Sequence, residues 1–186
     1  GNTTPKFSGG FGLNATYKGF DMSMFFNFMY DFDVLNANKI MLTTWADNKE
    51  NNFLMNIASD KRWRNFDDMG NEIRYSPEVL AEFNKNATMW NPTSIGRPIC
   101  MSYAVEDGSF LRLNSATLGY TLPSVWTKKV GLSKVRFYVS GNNLFTLTGY
   151  SGYDPEVNIA TGLTPNIDYN RYPRSRTYTF GAQLTF

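Results

Sequence analysis

Apolar and polar residues alternate along 176–186, RTYTFGAQLTF. Tyr178, Phe180, Ala182, Leu184 and Phe186 take one face, and Thr177, Thr179, Gly181, Gln183 and Thr185 take the other. A period of two marks a β-strand with one apolar side. Four more stretches read the same way, near residues 6–17, 20–33, 109–122 and 134–147. In 6–17, Phe7, Gly9, Phe11, Leu13, Ala15 and Tyr17 alternate with small and polar residues. In 20–33, Phe20, Met22, Met24, Phe26, Phe28, Tyr30 and Phe32 oppose Asp21, Ser23, Asn27 and Asp31, with Phe25 and Met29 as exceptions on the polar side. Lys18 and Gly19 form a two-residue connection that leaves Tyr17 and Phe20 on the same face, as a tight hairpin requires. In 109–122 the phase changes: Leu111 and Leu113 belong to one register, Leu118, Tyr120 and Leu122 to the other. A bulge near Asn114–Ser115 would reconcile them and carry Arg112 off the apolar face.

Either a soluble sheet packed on a core or a membrane barrel explains such strands. The connections favour the barrel. Two are short, Lys18–Gly19 and the ten residues PSVWTKKVGL (123–132); two are long, 34–108 and 148–175. Short and long connections alternate, which puts the long ones on one side, as in outer-membrane barrels with short periplasmic turns and long external loops. The strands are also longer than the usual soluble strand of about 5–6 residues. The long connections are polar and Asn-rich and offer no second sheet to cover the apolar faces. Their one helix signal is Ser76 followed by Pro77 and EVLAEFNK.

Composition narrows the function. Aromatics reach 16% and charged residues only 18%, which suits an apolar wall better than a solvated enzyme. No apolar run reaches about 18 residues, so no membrane helix is expected. A net charge of +2 gives no reason to invoke nucleic acid. With no histidine, the chain cannot supply a Ser–His–Asp or Cys–His site or a His-rich metal site. Cys100 has no disulfide partner and reads as a spectator. No enzyme activity, cofactor or metal is expected. The pairs Asp67–Asp68 and Asp154–Glu156 read as a solvated loop and a turn rather than acid–base or calcium sites. Gly9, Gly10 and Gly12 precede no helix and are no phosphate loop. The NAT triplets at Asn14 and Asn86 read as coincidence. Five strands cannot close a barrel, which takes an even number from about eight upward. The chain is therefore expected to be a barrel portion whose other strands lie elsewhere.

Several motifs together resemble the C-terminal part of the SusC/RagA family of TonB-dependent transporters from Bacteroidetes outer membranes. They are EDGSFLRLNSATLGYTLP (106–123), KVRFYVSGNNLFTLTGYSGYDPEV (134–157) and RYPRSRTYTFGAQLTF (171–186), preceded by the hairpin TPKFSGGFGLNATYKGFDMSMFFNF (4–28). The resemblance implies an all-β, multi-pass antiparallel outer-membrane barrel of about 22 strands. This chain would supply the last five, while the plug domain is not in it. It implies import of oligomeric nutrients, glycans or peptides, with a SusD-like surface lipoprotein as lid and the TonB complex acting through other parts of the protein. Barrel-assembly machinery and outer-membrane lipid are the other implied partners, and the terminal Phe186 looks like the assembly signal. A barrel enzyme or a passive, structural porin-like barrel without energy coupling is the alternative.

Aromatic residues carry the remaining binding signal. Trp45, Trp63, Trp90, Tyr150 and Tyr153 fall in the long connections, where a ring can stack on a sugar or cover a peptide side chain; equally, each could fold its loop or touch the lid. Tyr17 and Phe20 at one end, and Tyr30 and Phe32 at the other, suit the aromatic girdles of a membrane barrel. The topology makes a direct prediction. In whole cells, a cysteine replacing Lys18 should resist an impermeant thiol reagent, and one replacing Asn166 should react. The opposite pattern would invert the assignment of sides.

Overall fold

A computed structural model describes residues 1–44, 54–57, 61–92, 99–157 and 165–186. The chain divides into two compact units, residues 1–35 with 106–186, and residues 36–105. In the first, β1 (Phe7–Tyr17), β2 (Phe20–Tyr30), β5 (Phe110–Thr121), β6 (Lys134–Thr148) and β8 (Thr177–Thr185) form one antiparallel sheet in the order β1-β2-β5-β6-β8. The sheet is open, with β1 and β8 at its edges. A smaller sheet has the order β4-β3-β7, from β3 (Asp33–Asn36), β4 (Val105–Asp107) and β7 (Ile167–Asp168).

Pairing registers apolar with apolar across all five long strands. Phe11 faces Phe26, Leu13 faces Met24 and Tyr17 faces Phe20. Phe20 then meets Tyr120, and Phe28 meets Leu111. Leu111 meets Leu147, Tyr120 meets Phe137, and Val139 meets Phe180. This common face stays uncovered: Phe11, Leu13, Phe137, Phe180 and Leu184 are among its exposed side chains. An exposed apolar face spanning five strands is what a hydrocarbon environment requires. Eleven residues of strand extend about 37 Å. Tilted by about 40°, they cross a band of about 28 Å, close to the lipid-facing height of such barrels.

The hairpin turn follows its residue types. Lys18 and Gly19 both take positive φ, 45° and 88°, as a two-residue hairpin loop of the mirror-image type I demands. The expected bulge is also present. Pairing skips Asn114, passing from Leu113–Phe145 to Ser115–Asn142, and Asn143 on the partner strand takes φ 53°. The apolar face therefore continues from Leu118 and Ala116 to Leu113 and Leu111, while Arg112 joins Asn27 and Thr146 on the opposite face.

That opposite face is shaped by missing side chains. Arg136 on β6 reaches across β5 to grip Asp21 on β2 through two hydrogen bonds, Nε donating at 2.9 Å. The pair passes over Gly119, where a Cβ would collide with the guanidinium. The Tyr138 ring likewise lies over Gly181, and the Phe25 ring over Gly10, which accounts for the aromatic that interrupts the polar side of β2.

At the end away from the hairpin turn, the chain builds a small core. Strand β2 stops at Tyr30, short of the expected residue 33, because Asp31 adopts φ 60° and its N–H donates to Ser109 Oγ. This reversal corrects the expectation for Phe32. It is 4% exposed, packed with Val34, Phe110, Tyr150 and Val157 rather than set in an outer girdle. Met29, the other exception in the β2 pattern, packs against the same cluster. Phe7, paired with Tyr30 at this end of the sheet, is exposed on the apolar face. The connection 148–175 is tied down beside this core. Arg112, 2% exposed, donates to Asp154 and stands 3.6 Å from Glu156. Glu156 also accepts from Arg174 at 2.8 Å.

In the second unit the expected helix appears as α2 (Pro77–Phe83), entered through extended Ser76. Two shorter helices, α1 (Ala37–Met41) in this unit and α3 (Ser124–Thr127) in the first, carry no comparable sequence signal. Residues 34–108 and 148–175 are thus not plain loops, since β3, β4, β7, α1 and α2 punctuate them.

Two mutational outcomes follow from the faces. Phe180→Arg, at the middle of β8, should destabilise the complete barrel by about 2–4 kcal/mol and Phe137→Arg, nearer the end of β6, by less, with Ser140→Asn and Thr179→Asn much milder. Equal effects in reversible unfolding would refute the two-sided wall. Arg112→Met leaves the buried Asp154 carboxylate without its guanidinium, while Glu156 keeps Arg174, and should cost about 3–5 kcal/mol locally. It should be read as lost amide-exchange protection around Tyr150–Val157, with the strand pairs below unchanged.

Candidate functional site

The sequence-derived aromatic candidates divide by what holds them. Trp45 lies outside the described residues. Trp90 and Tyr150 are engaged in the fold. Trp90 Nε1 donates to the Thr43 carbonyl at 3.0 Å, and its ring meets Tyr103 edge-on at 5.2 Å. The Lys39 ammonium sits 4.2 Å from the centre of the same Tyr103 ring. Tyr150 is 6% exposed in the core of the first unit, and its hydroxyl donates to Asp168 at 2.7 Å. Burial, followed by the Asp168 carboxylate, pushes the Tyr150 phenol far above its ordinary value. It stays a neutral donor.

Tyr153 and Trp63 are presented outward. Tyr153 is 81% exposed. Its turn is fixed on both sides: Ser151 donates to Glu106 from its N–H (3.0 Å) and its hydroxyl (2.8 Å), and Asp154 accepts from buried Arg112. A ring on so constrained a turn loses little freedom when it binds. Tyr169 and Tyr172, in the same connection, are also exposed and were not singled out from the sequence. The run DYNRYP is the signal that could have drawn attention to them.

Trp63 borders a cavity of about 430 Å³ in the second unit, with Arg62, Arg64, Asn65, Phe66, Asp67 and Asp68 on its walls. Backbone pairing holds this rim. Trp63 N–H donates to the Met89 carbonyl at 2.8 Å. Asn84, which ends α2, accepts from Arg64 N–H at 2.6 Å and donates to the Arg64 carbonyl at 2.9 Å. Phe66 is exposed and Arg62 makes no ion pair among the described residues, so ring faces and a free guanidinium meet at one opening. Such a set suits a sugar ring or a peptide with polar edges.

The four carboxylates of the two acidic pairs all carry bonds within the fold. Asp67 accepts from Asn71 Nδ2 (3.0 Å), Asn71 N–H (2.8 Å) and Met69 N–H (2.9 Å), and Asp68 accepts from Arg64 at 2.6 Å. The Asn71 side chain, then its backbone N–H, hold the Asp67 carboxyl below its ordinary range. Its support of the loop is therefore present at neutral pH and is lost only as pH falls through that lowered value. Asp154 and Glu156 are committed to arginines, so the turn expected there is also an ionic anchor. Cys100 is exposed. Phe186 is 90% exposed at the end of β8, whose last residues are joined to the base of β6 by Ser133: N–H to the Thr185 carbonyl at 2.8 Å, hydroxyl to the same oxygen at 2.9 Å.

Comparison with known proteins bears on the whole chain. No family model matches it. It is similar to TonB-dependent receptor P3 of Formosa agariphila, 34% identical over 100% of this chain and 17% of that protein. It also resembles TonB-dependent receptor SusC of Bacteroides thetaiotaomicron, 38% identical over 45% of this chain and 8% of that protein. Among solved structures, the RagAB peptide transporter superposes with a TM-score of 0.73 at 28% identity, over 99% of this chain and 18% of that one. The chain spans about a sixth of the full-length relatives it matches from end to end. These relatives are named as receptors and transporters, not as enzymes. With the five-stranded two-faced wall and these end-to-end matches together, the chain belongs to the SusC/RagA family of TonB-dependent transporters.

Proposed function

We propose that the chain forms five strands of the outer-membrane wall, and two outer connections, of an importer of oligomeric nutrients that works with a SusD-like surface lipoprotein. The register that turns every apolar strand face to one side carries this reading, because it assigns the opposite face to a polar lumen. Arg112 and the core around Tyr150 hold the turn that presents Tyr153, and the second unit separately presents Trp63 at its own opening. These two are the sequence-derived aromatic candidates left exposed for partner or cargo. Phe186 serves as the recognition signal for barrel assembly, and energy reaches the lumen from the TonB complex through parts of the protein outside this chain. The cargo is a glycan or a peptide. Peptide is the class in the name of the RagAB relative, and aromatic-lined openings serve both.

The decisive experiment uses the complete transporter in cells. Tyr153→Ala and Trp63→Ala should each weaken lipoprotein co-purification or cargo binding about three- to tenfold, as aromatic contacts commonly do, with barrel level unchanged. Normal retention and uptake in both variants would remove these side chains from the mechanism. Uptake that persists without TonB would instead identify a passive barrel. Growth of a deletion strain on panels of glycans and peptides would separate the two cargo classes. Deleting Phe186 should lower the outer-membrane level without changing synthesis.

A further inference from the structure

At the opening beside Trp63, most charged groups already have partners. Four charged side chains stand on its walls, Arg62, Arg64, Asp67 and Asp68. Three are spent inside the second unit. Arg64 donates to Asp68 at 2.6 Å, and its guanidinium lies 5.4 Å from the centre of the Phe83 ring on α2. Asp67 turns both oxygens into its own loop: Oδ1 accepts from the N–H groups of Met69 and Asn71, and Oδ2 accepts from Asn71 Nδ2 at 3.0 Å. Arg62, half-buried, has no side-chain acceptor among the described residues.

The backbone fixes where Arg62 stands. It bridges in parallel to Met89, and both its chain neighbours are tied to the same segment. The Lys61 carbonyl accepts from the Thr88 and Met89 N–H groups at 2.9 Å each, and Trp63 N–H donates to the Met89 carbonyl at 2.8 Å. The exposed rings of Trp63 and Phe66 share the opening, whose volume of about 430 Å³ is that of a small-molecule site. A guanidinium is a planar fork of donors that stays charged, and its matched counterpart is a carboxylate held by parallel hydrogen bonds. A neutral hydroxyl or amide meets one donor and leaves the charge uncompensated. Asp67 and Asp68 do not supply the match, because their bonds go elsewhere. The wall therefore calls for one anionic acceptor carried beside a flat or apolar face.

We infer that this opening recognises a carboxylate on the cargo, which Arg62 grips while Trp63 and Phe66 cover the ring or chain that carries it. The carboxylate belongs to a uronic-acid sugar or to an acidic residue of a peptide. The inference rests on the reading of Trp63 as a cargo contact and narrows it to one chemistry.

The test uses the complete transporter, purified in mild detergent, and two matched pairs of probes followed by calorimetry. One pair is a galacturonic-acid oligomer and its methyl ester. The other is a glutamate-containing peptide and its glutamine counterpart, both C-terminally amidated. Wild type should bind the charged member of at least one pair about tenfold tighter than the neutral member, as hydrogen bonds to charged groups commonly provide. The pair that responds identifies the carrier as glycan or peptide. Arg62→Gln should remove that preference, and Arg62→Lys should restore only part of it, because an ammonium lacks the planar fork. Trp63→Ala should weaken both members of the responding pair alike. Asp68→Asn takes a negative charge from the same wall and leaves Arg62 in place. It should tighten the charged probe and not the neutral one, and it keeps the test decisive should Arg62→Gln fail to assemble. No binding of either charged probe, equal affinity within both pairs, a preference that survives Arg62→Gln, or no gain in Asp68→Asn would each overturn the inference. Import of the same probes is followed in cells with and without TonB. A preference that depends on Arg62 without TonB-dependent import would count against the transport reading alone. TonB-dependent import without that preference would count against the inference alone.

Discussion

Hydrocarbon offers a peptide group no hydrogen-bonding partner, and each unpaired one costs several kcal/mol. Every strand of this wall must therefore pair along its whole membrane length, and the pairing must keep apolar side chains outward at every level. A single slip in register would turn a row of Thr, Asn and Arg into lipid. The bulge at Asn114 is where this constraint is reconciled with a second demand. Below it, β5 presents Tyr120, Leu118 and Ala116 to the membrane; above it, the swap presents Leu113 and Leu111 and turns Arg112 inward. Continued alternation without the bulge would have turned Arg112 outward near the membrane edge, at a cost of about 1 kcal/mol there, and would have taken it from Asp154.

Once inside, Arg112 becomes the anchor for what stands above the wall. It is shielded from solvent, so its pairing with Asp154 is set by geometry as well as charge, and loss of either of these two would leave the other buried without its partner. Through Asp154 it fixes the turn that carries Tyr153. Phe32, Val34, Phe110, Tyr150 and Val157 supply the apolar half of the same junction. One deviation in a strand thus serves the membrane face below and the placement of a candidate contact above.

What could be read from the sequence followed from backbone periodicity, and what could not depended on long-range packing. The strands, the Lys18–Gly19 hairpin, the bulge and the Ser76–Pro77 helix start all have local signals of two to a dozen residues. Phe32 continues the alternation of β2 without fault, yet the left-handed turn at Asp31 sends it into a core whose members are up to 125 positions away. The short sheet of β3, β4 and β7 has strands too brief to show a period. Nor does a glycine announce what lies above it: Phe25 over Gly10, Arg136 over Gly119 and Tyr138 over Gly181 all come from a neighbouring strand.

The aromatic candidates show most clearly why composition does not locate a site. Trp90 and Tyr150 use both the ring and the polar tip inside the protein: the Trp90 nitrogen serves the Thr43 carbonyl, and the Tyr150 hydroxyl serves Asp168. Buried aromatics with such a handle ordinarily find a partner, and a side chain satisfied at both ends has nothing left to offer a ligand. Tyr153 differs because its neighbours, Ser151 and Asp154, take the internal bonds in its place. The division of labour lies within four consecutive residues, 151–154. Two small polar side chains hold the turn, the glycine between Ser151 and Tyr153 lets the Tyr150 ring pack against the backbone, and the next ring is left outside. Function in such a connection depends less on which residues are aromatic than on which ones the fold does not need.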